Sequence, residues 1–384
     1  MTDTADVVVI GGGVIGASAA YHLAEGGAGR VLLLERAGEL GTGSTGACAG
    51  GFRHQFSSRV NILLSLASVP MITRFSEEHG LPLDVVQDGY LFLVRTNDAW
   101  RAFLAGVELQ RSLGVEVEVL EPNQVGELLP GIALEGLVGA TFGPKDGIAD
   151  PSGLTNGYAT LARRSGAEIR TGVEVQGVDT EGGRVTGVST ADGLISAGAV
   201  IDAAGPWASK VAATAGVDLP VEPIPRNVVV TGPFPGAPAR RTLVIEAEST
   251  FYFHREGPGV LMGMGGRDEH ASFDTRVDER FVADELLPTA VQSFPPLEAA
   301  DLRFSWSGLY EMTPDRHPVI GEAPGVAGFY LANGFSGHGF QHGPIVGKLL
   351  AELIVDGAAR SVDISSLGLG RFTSGHVVSE HHVV

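Results

Sequence analysis

The chain of 384 residues holds one cysteine, Cys48, and three lysines, Lys145, Lys210 and Lys348. A single thiol excludes an intrachain disulfide, and it excludes a zinc or iron–sulfur centre built on cysteines of this chain alone. Free cysteines are usually small buried side chains, and Cys48 is read that way. Cations are scarce altogether: 26 Lys and Arg stand against 45 Asp and Glu, a net charge of −19. That argues against a nucleic-acid partner, because phosphate binding needs clustered Lys and Arg. No uncharged apolar run is long enough to span a membrane. The best, 343–355, is broken by Lys348 and Glu352. The first apolar run, Val7 to Ile10, is too short for a signal peptide and has no basic segment before it. A cytoplasmic protein without a membrane span is expected. There is no internal repeat and no low-complexity tract.

Glycine is abundant, 55 of 384 residues, or about twice its usual share. Apolar content of 44% keeps the chain in the folded class, so the glycines read as tight turns. The length suits two or three domains, or one large α/β unit with an insertion.

Asp6 to Ile10 reads as a buried strand, Val14 to Glu25 as a helix and Val31 to Leu34 as a second strand, a β–α–β unit. A long helical pattern runs from Arg59 to His79, and Gly89 to Arg95 alternates like a strand. Asn97 is expected to cap a helix reaching Leu113, with Gly114 stopping it. Asp146 to Pro151 is a turn-rich joint before a helix over Leu154 to Arg164. Three β-like runs follow, at 167–175, 184–190 and 194–202. Pro220 to Pro225 looks like a crossing between domains. Strands dominate 226–312, with one helix near Asp278 to Leu287. Tyr310 to Gly321 reads as an irregular loop and Gly328 to Ala332 as a strand. A closing helix is expected to start near Pro344. The end of the chain carries His376, His381 and His382, and it reads as disordered rather than metal-binding; no metal is expected.

The sharpest signal is Gly11-Gly12-Gly13-Val14-Ile15-Gly16, a G-x-G-x-x-G. Gly11 permits the tight turn, Gly13 lets the backbone approach a pyrophosphate, and Gly16 lets the helix pack on the strand. The helix start presents free N–H groups and a positive dipole end to phosphates. Glu35 ends the second strand, near the spacing of a ribose-binding acid. An acid there repels a 2′-phosphate and disfavours NADP. The unit itself does not separate NAD from FAD; three later stretches favour FAD. Gly41 to Gly46 offers small hydroxyls and amides. The turn Ala203-Ala-Gly-Pro-Trp207 reads as another cofactor-facing loop. Gly334 to Phe340 leads to a helix start that suits the anionic edge of a reduced flavin.

Six motifs in one order carry a resemblance: Val9 to Gly16, Gly50-Gly-Phe-Arg-His54, Asp146-Gly-Ile-Ala-Asp-Pro151, Asp202-Ala-Ala-Gly-Pro-Trp207, Gly308-Leu-Tyr-Glu-Met-Thr-Pro-Asp315 and Gly334 to Phe340. In these the chain resembles the D-amino-acid-oxidase superfamily of FAD enzymes, in the branch of sarcosine oxidase, dimethylglycine dehydrogenase and the β subunits of proline dehydrogenase. The resemblance implies an α/β fold. A glutathione-reductase-type FAD-binding domain (parallel sheet with ββα layers; residues 1–82, 145–220 and 312–384) is interleaved with a mainly antiparallel α+β substrate domain (83–144 and 221–311). The flavin ring is expected at their interface. FAD is expected to lie against Gly11, Gly13, Val14, Ile15, Gly16, Glu35, Arg36, Ser44, Thr45, Val175, Ala204, Gly205, Trp207, Gly334, Gly337, His338, Gly339, Phe340 and Gln341.

Departures from the family pattern shape the activity expected. Relatives that tether FAD carry a cysteine where this chain has Gly308, so non-covalent FAD is expected. Oxidases of the sarcosine type place an oxygen-activating lysine over the flavin; the matching stretch, Gly259 to Gly263, has none, which favours a dehydrogenase. A carboxylate-binding lysine of some relatives is Gln341 here, and an arginine of others is Tyr310. Arg53 remains as a bidentate carboxylate partner, or else it makes a structural salt bridge. With His54, Tyr252, His254, Tyr310 and Gln341 it makes up the expected catalytic set. Tyr252 and His254 share one strand face, which is either pocket or surface. Tyr310 closes the pocket or is a core tyrosine, and His338 touches the cofactor or caps a helix. Arg226 and Arg303 read equally well as surface ion pairs, and Asp315, Arg316 and His317 as turn residues. The expected reaction is hydride transfer from the carbon beside an amine nitrogen to flavin N5, leaving an imine that hydrolyses. The electron acceptor is oxygen, a quinone or a partner protein. Oxidation of a 2-hydroxy acid, and a flavin-bearing subunit of a larger dehydrogenase, are the alternatives.

Overall fold

The computed structural model describes residues 3–266, 269–374 and 379–382. The opening strand, Asp3–Ile10, lies at the middle of an eight-stranded sheet. On one side it pairs in parallel with Val31–Glu35, which in turn pairs with Glu168–Thr171. On the other it pairs in parallel with Gly193–Asp202, whose far end pairs with Phe329–Asn333. Val175–Glu181 and Arg184–Thr190 extend this sheet as an antiparallel meander, and Val319–Glu322 flanks Phe329–Asn333. Val7 to Ile10 and Val31 to Leu34 are buried on both faces, as expected for parallel strands covered on two sides.

The opening helix, Val14–Glu25, packs between the helices Pro151–Arg164 and Gly339–Ala351. Its approach to the last of these depends on glycine. A Cβ on Gly343 would lie 2.9 Å from Val14 Cγ1, and one on Gly347 would collide with Ser18. Ser18 Oγ uses this proximity to donate to the Pro344 carbonyl at 3.0 Å. The closing helix thus begins at Gly339, five residues before the expected start, and Pro344 lies inside it.

A second eight-stranded sheet is antiparallel except where Tyr90–Val94 runs parallel to Leu243–Glu246. Its edge strand, Leu302–Met312, pairs along its whole length with Glu222–Thr231. Tyr310 therefore stands in a strand, not in the loop expected at 310–321. Likewise, the proline-rich crossing is already strand from Glu222 on. Pro223 and Pro225 are tolerated there because the neighbouring strand, Gly259–Gly263, pairs only from Val228 onward. A small three-stranded sheet joins Gly51–Phe52, Val85–Val86 and Gly147–Ala149 between the two large ones.

Other helix limits also differ from expectation. The pattern over 59–79 is two helices, Arg59–Thr73 and Phe75–His79, separated at Arg74. The next helix, Asn97–Ser112, is capped by Thr96, whose hydroxyl accepts from Ala99 N, rather than by Asn97. The helix begun after Asp278 continues to Ser293. The end of the chain differs most. Glu380 and His382 are buried, contrary to a disordered tail, while His376 lies outside the described residues. Among the described residues no cluster suits a metal, and no helix is long and apolar enough to cross a membrane.

Candidate active site

A groove of about 460 Å³ opens at the carboxyl ends of the parallel strands, where open α/β sheets take their ligands. Its floor is the turn after the opening strand. Gly11 has φ +106°, and a Cβ there would collide with the Ala203 carbonyl. Gly13 precedes the helix with extended backbone and no side chain over the first amides. A Cβ on Gly16, beneath this turn, would overlap the Gly11 carbonyl oxygen, so Gly16 shapes the floor without lining the groove. Glu35 lines it with its oxygens accepting from Gly12 N at 2.6 Å and Ala37 N at 2.7 Å. Arg36, Ser44, Thr45, Val175, Ala204, Gly205 and Trp207 line the same groove as Val14 and Ile15.

Several of these side chains are fixed across long sequence distances. Thr45 Oγ1 accepts from Val14 N at 3.3 Å, and Ser44 Oγ donates to the Leu309 carbonyl at 2.6 Å. The Arg36 guanidinium stacks 3.5 Å over Trp207, which stacks on Phe273. Phe273 roofs the groove from the second sheet's side, and nothing in the sequence singled it out.

Two smaller cavities, about 80 and 60 Å³, continue from this groove between the two sheets. The first shares Val14, Thr45, Leu309 and Glu311 with the groove; the second shares Tyr252, Tyr310, Gly337 and Phe340 with the first. Arg53, His338, Gln341, Tyr90 and Cys48 also line the 60 Å³ cavity. Burial pushes the Tyr252 and Tyr310 phenols above their ordinary pKa, so both keep their protons at neutral pH. Burial also pushes the Cys48 thiol up to about 12, which leaves it unreactive. His338 is held down at about 3 by burial and by nearby Arg53, and neither of its ring nitrogens has a protein partner. Gln341 clamps the Arg53 backbone: Oε1 accepts from Arg53 N at 2.9 Å and Nε2 donates to Arg53 O at 3.2 Å.

Two residues of the expected catalytic set stand elsewhere. His54 lines none of the cavities; its Nδ1 lies 2.6 Å from Asp146 Oδ1, turned away by that buried carboxylate. His254 is buried with its ring nitrogens 2.8 and 3.2 Å from the carbonyls of Arg255 and Ala49, so it holds the cavity wall rather than facing the cavity. Gly334 has φ +77° and faces Thr313; it makes the turn and lines no cavity. Gly339 and Phe340 do line the 80 Å³ cavity. Arg226 is no surface residue. It lines that cavity 4.8 Å from the Tyr310 ring centre and pairs with Glu269 at 2.7 Å.

Sequence reading gave no role to Glu311, Asp202 or Asn333. Glu311 lines both the groove and the adjoining cavity. Glu311 Oε2, Asp202 Oδ2 and Asn333 Oδ1 are buried without a protein partner, and such atoms call for a ligand or water. Burial raises Glu311 to about 7 and Asp202 to about 8, each above its ordinary value. Both carboxyls thus bind a proton more tightly folded than unfolded. Their stabilising share is complete below about pH 4 and is lost as pH rises through 7 to 8. Protein stripped of cofactor is therefore expected to melt at progressively lower temperature from pH 5 to pH 8. In Glu311→Gln that decline should shrink by on the order of 3 kcal/mol. A parallel decline in the variant would remove Glu311 as its cause.

A glycine-floored groove at a helix start, with the unpartnered carboxyl oxygen of Glu311 in its lining, running into cavities walled by aromatic rings, has the form of a dinucleotide site. Comparison with known proteins decides the family. The model for FAD-dependent oxidoreductases of the DAO type matches residues 6–353. The chain belongs to this family. Its cofactor is FAD. The chain is 32% identical to FAD-dependent oxidoreductase domain-containing protein 1 of Xenopus laevis, over 100% of this chain and 85% of that protein. It is 31% identical to mitochondrial sarcosine dehydrogenase of Mus musculus over 99% of this chain, but spans only 42% of that longer protein. Among solved structures, L-proline dehydrogenase from P. horikoshii superposes with a TM-score of 0.90 at 32% identity, covering 98% of this chain and 99% of that one.

The DAO-family fold explains why the groove lies between two sheets: one sheet supplies the nucleotide floor and the other the cavity wall. The residues present fit FAD. The cradle at Gly11 to Gly13 puts no side chain of its own over the start of the opening helix, and the unpartnered Oε2 of Glu311 belongs to a residue that lines both the groove and the adjoining cavity.

Proposed function

We propose that this protein is an FAD-dependent dehydrogenase that oxidises the C–N bond of a secondary or N-alkyl amine or amino acid. The observation that carries the reading is the aromatic cavity at the end of the cofactor groove, with Arg53 in its wall. The names of sarcosine dehydrogenase and L-proline dehydrogenase point to the same substrate class.

In this reading FAD is held without a covalent bond by the groove residues: Gly11 and Gly13 at the pyrophosphate, Glu35 at the adenosine ribose, and Ser44, Thr45, Ala204, Gly205 and Trp207 along the chain. The division into a cofactor domain (1–82, 145–220, 312–384) and a substrate domain (83–144, 221–311) goes with it. Bound there, FAD would supply the two-electron acceptor for a hydride from the carbon beside the amine nitrogen. The protein's part is position and electrostatics. Arg53 anchors a substrate carboxylate, and Gln341 fixes the Arg53 backbone. Tyr252 and Tyr310 donate hydrogen bonds and exclude water. The amine must be neutral to react, and both the apolar walls and the Arg53 cation disfavour its ammonium form. The product imine is hydrolysed by water. No strong base is required, and the neutral His338 is not one.

The test is anaerobic. Addition of N-methyl amino acids or cyclic secondary amino acids is expected to bleach the 450 nm flavin band, while 2-hydroxy acids leave it. Bleaching by hydroxy acids alone would replace this reading with the hydroxy-acid alternative. None of the three lysines lines the groove or the two cavities that continue from it, so reduced enzyme should reoxidise slowly in air and at least about tenfold faster with a quinone-like dye, since a positioned charge contributes on the order of 10²-fold or more. Stopped-flow reoxidation measures this, and rapid peroxide formation in air would make the protein an oxidase. A partner that co-purifies and is needed for turnover would favour the electron-relay subunit instead.

A further inference from the structure

Arg53 lines the 60 Å³ cavity, and a guanidinium binds a carboxylate in one orientation only if it is itself held. Its guanidinium carbon lies 3.9 Å from the Phe56 ring centre. Nη1 donates to the Gln55 carbonyl, and Nη2 donates to the carbonyl of His382, 329 residues away in sequence. The segment 379–382 thus ends against the substrate cavity's cation.

That segment is pinned at two points. The carboxylate of Glu380 is fully buried. Its Oε1 accepts from Ser57 N at 2.7 Å, Ser57 Oγ at 2.5 Å and His382 N at 3.0 Å. Its Oε2 accepts from Ser58 N at 3.1 Å, Ser58 Oγ at 2.7 Å and Asn61 Nδ2 at 3.1 Å. Burial opposes the charge, but the His382 ring and these donors outweigh it and hold Glu380 below the usual carboxylate range. The second pin is the His382 ring, stacked 4.2 Å from Phe103 at 17°. A buried carboxylate is an expensive way to fill space, since an apolar side chain would pack there without a desolvation cost. What it supplies is a single geometry: six donors, from Ser57, Ser58, Asn61 and His382, must all be met at once.

We propose that Glu380 is a positioning residue for substrate binding. By locking residues 379–382 into the nest at Ser57, Ser58 and Asn61, it sets the His382 carbonyl against Arg53 and so fixes the guanidinium for a substrate carboxylate. This rests on the reading of Arg53 as the carboxylate anchor.

The experiment compares Glu380→Gln, Arg53→Met and the unaltered holoenzyme. It measures FAD content, the dissociation constant of acetate from its perturbation of the flavin band, and KM and kcat for N-methylglycine. In Glu380→Gln the acetate constant and the KM are expected to rise about tenfold to 100-fold, with kcat within about threefold and FAD retained. Weakening by Arg53→Met with no change in Glu380→Gln overturns the proposal and leaves the anchor standing. Acetate binding unchanged in both overturns the anchor and the proposal together. Parallel loss of FAD and acetate in Glu380→Gln marks a merely structural role and also overturns it. Should that variant not fold, Ser57→Ala removes one donor hydroxyl, and a smaller rise in the acetate constant is expected; none would count against the proposal.

Discussion

Gly13→Asp is expected to yield a folded protein that no longer takes up FAD. Gly13 stands at the N-cap of the opening helix with φ −74°, a conformation any residue adopts. Its added Cβ would meet only Thr45 Oγ1, at 3.2 Å. Aspartate is a favoured N-cap residue, and its carboxylate would accept from the first helix amides. The fold should be as stable as before, or a few tenths of a kcal/mol more so, since glycine is itself a tolerated N-cap. Yet the same carboxylate takes the amides a pyrophosphate needs and repels its charge. FAD affinity should fall by about 100-fold or more, roughly 3 kcal/mol. Absorbance at 450 nm after reconstitution, read beside the melting temperature of the stripped protein, separates the two effects. Normal FAD content in a stable variant would mean that the cofactor's phosphates lie elsewhere.

Arg53→Met is expected to raise KM for amino-acid substrates by about 100-fold, in line with roughly 3 kcal/mol for removing one partner of a buried charged pair. Methionine keeps the stem against Phe56 but leaves the Gln55 and His382 carbonyls without their donor, at a stability cost of about 1–3 kcal/mol. A second signature follows from charge. The guanidinium disfavours an ammonium beside it, so its removal raises the pKa of the bound amine. Flavin reduction should then need a higher pH by about one unit. Stopped-flow reduction across pH 6 to 10 reads both. A pH profile that stays in place while KM rises would mean the amine binds far from Arg53.

The nucleotide end of the site was legible because its parts are contiguous. Gly11 to Gly16 make one turn, and Glu35 follows at the end of the next strand, so backbone sterics and helix polarity suffice to read them. The substrate end was only half legible. Tyr252 and His254 alternate on one strand, and the pattern placed both on one face without saying what that face met. In the structure Tyr252 reaches the cavity, while His254 is held by the Ala49 and Arg255 carbonyls. His54, next to Arg53 in sequence, is drawn off by Asp146. Arg226 looked like a surface ion pair because sequence gives no burial, and Glu311 stood in a quoted motif with no sign that its carboxyl faces the groove.

The order of short strands, glycine turns and amphipathic helices was enough to fix a dinucleotide-binding α/β protein, since each rests on local geometry. Which side chains wall the substrate cavity was settled only by tertiary contacts. Segments near 50, 90, 252, 310 and 340 meet there, and the pairing register of two sheets decides which residue of each faces inward. The end of the chain is the clearest instance. Its histidines suggested a loose tail, yet one buried carboxylate with six donors places it against Arg53, a contact across more than 300 residues that no local pattern encodes.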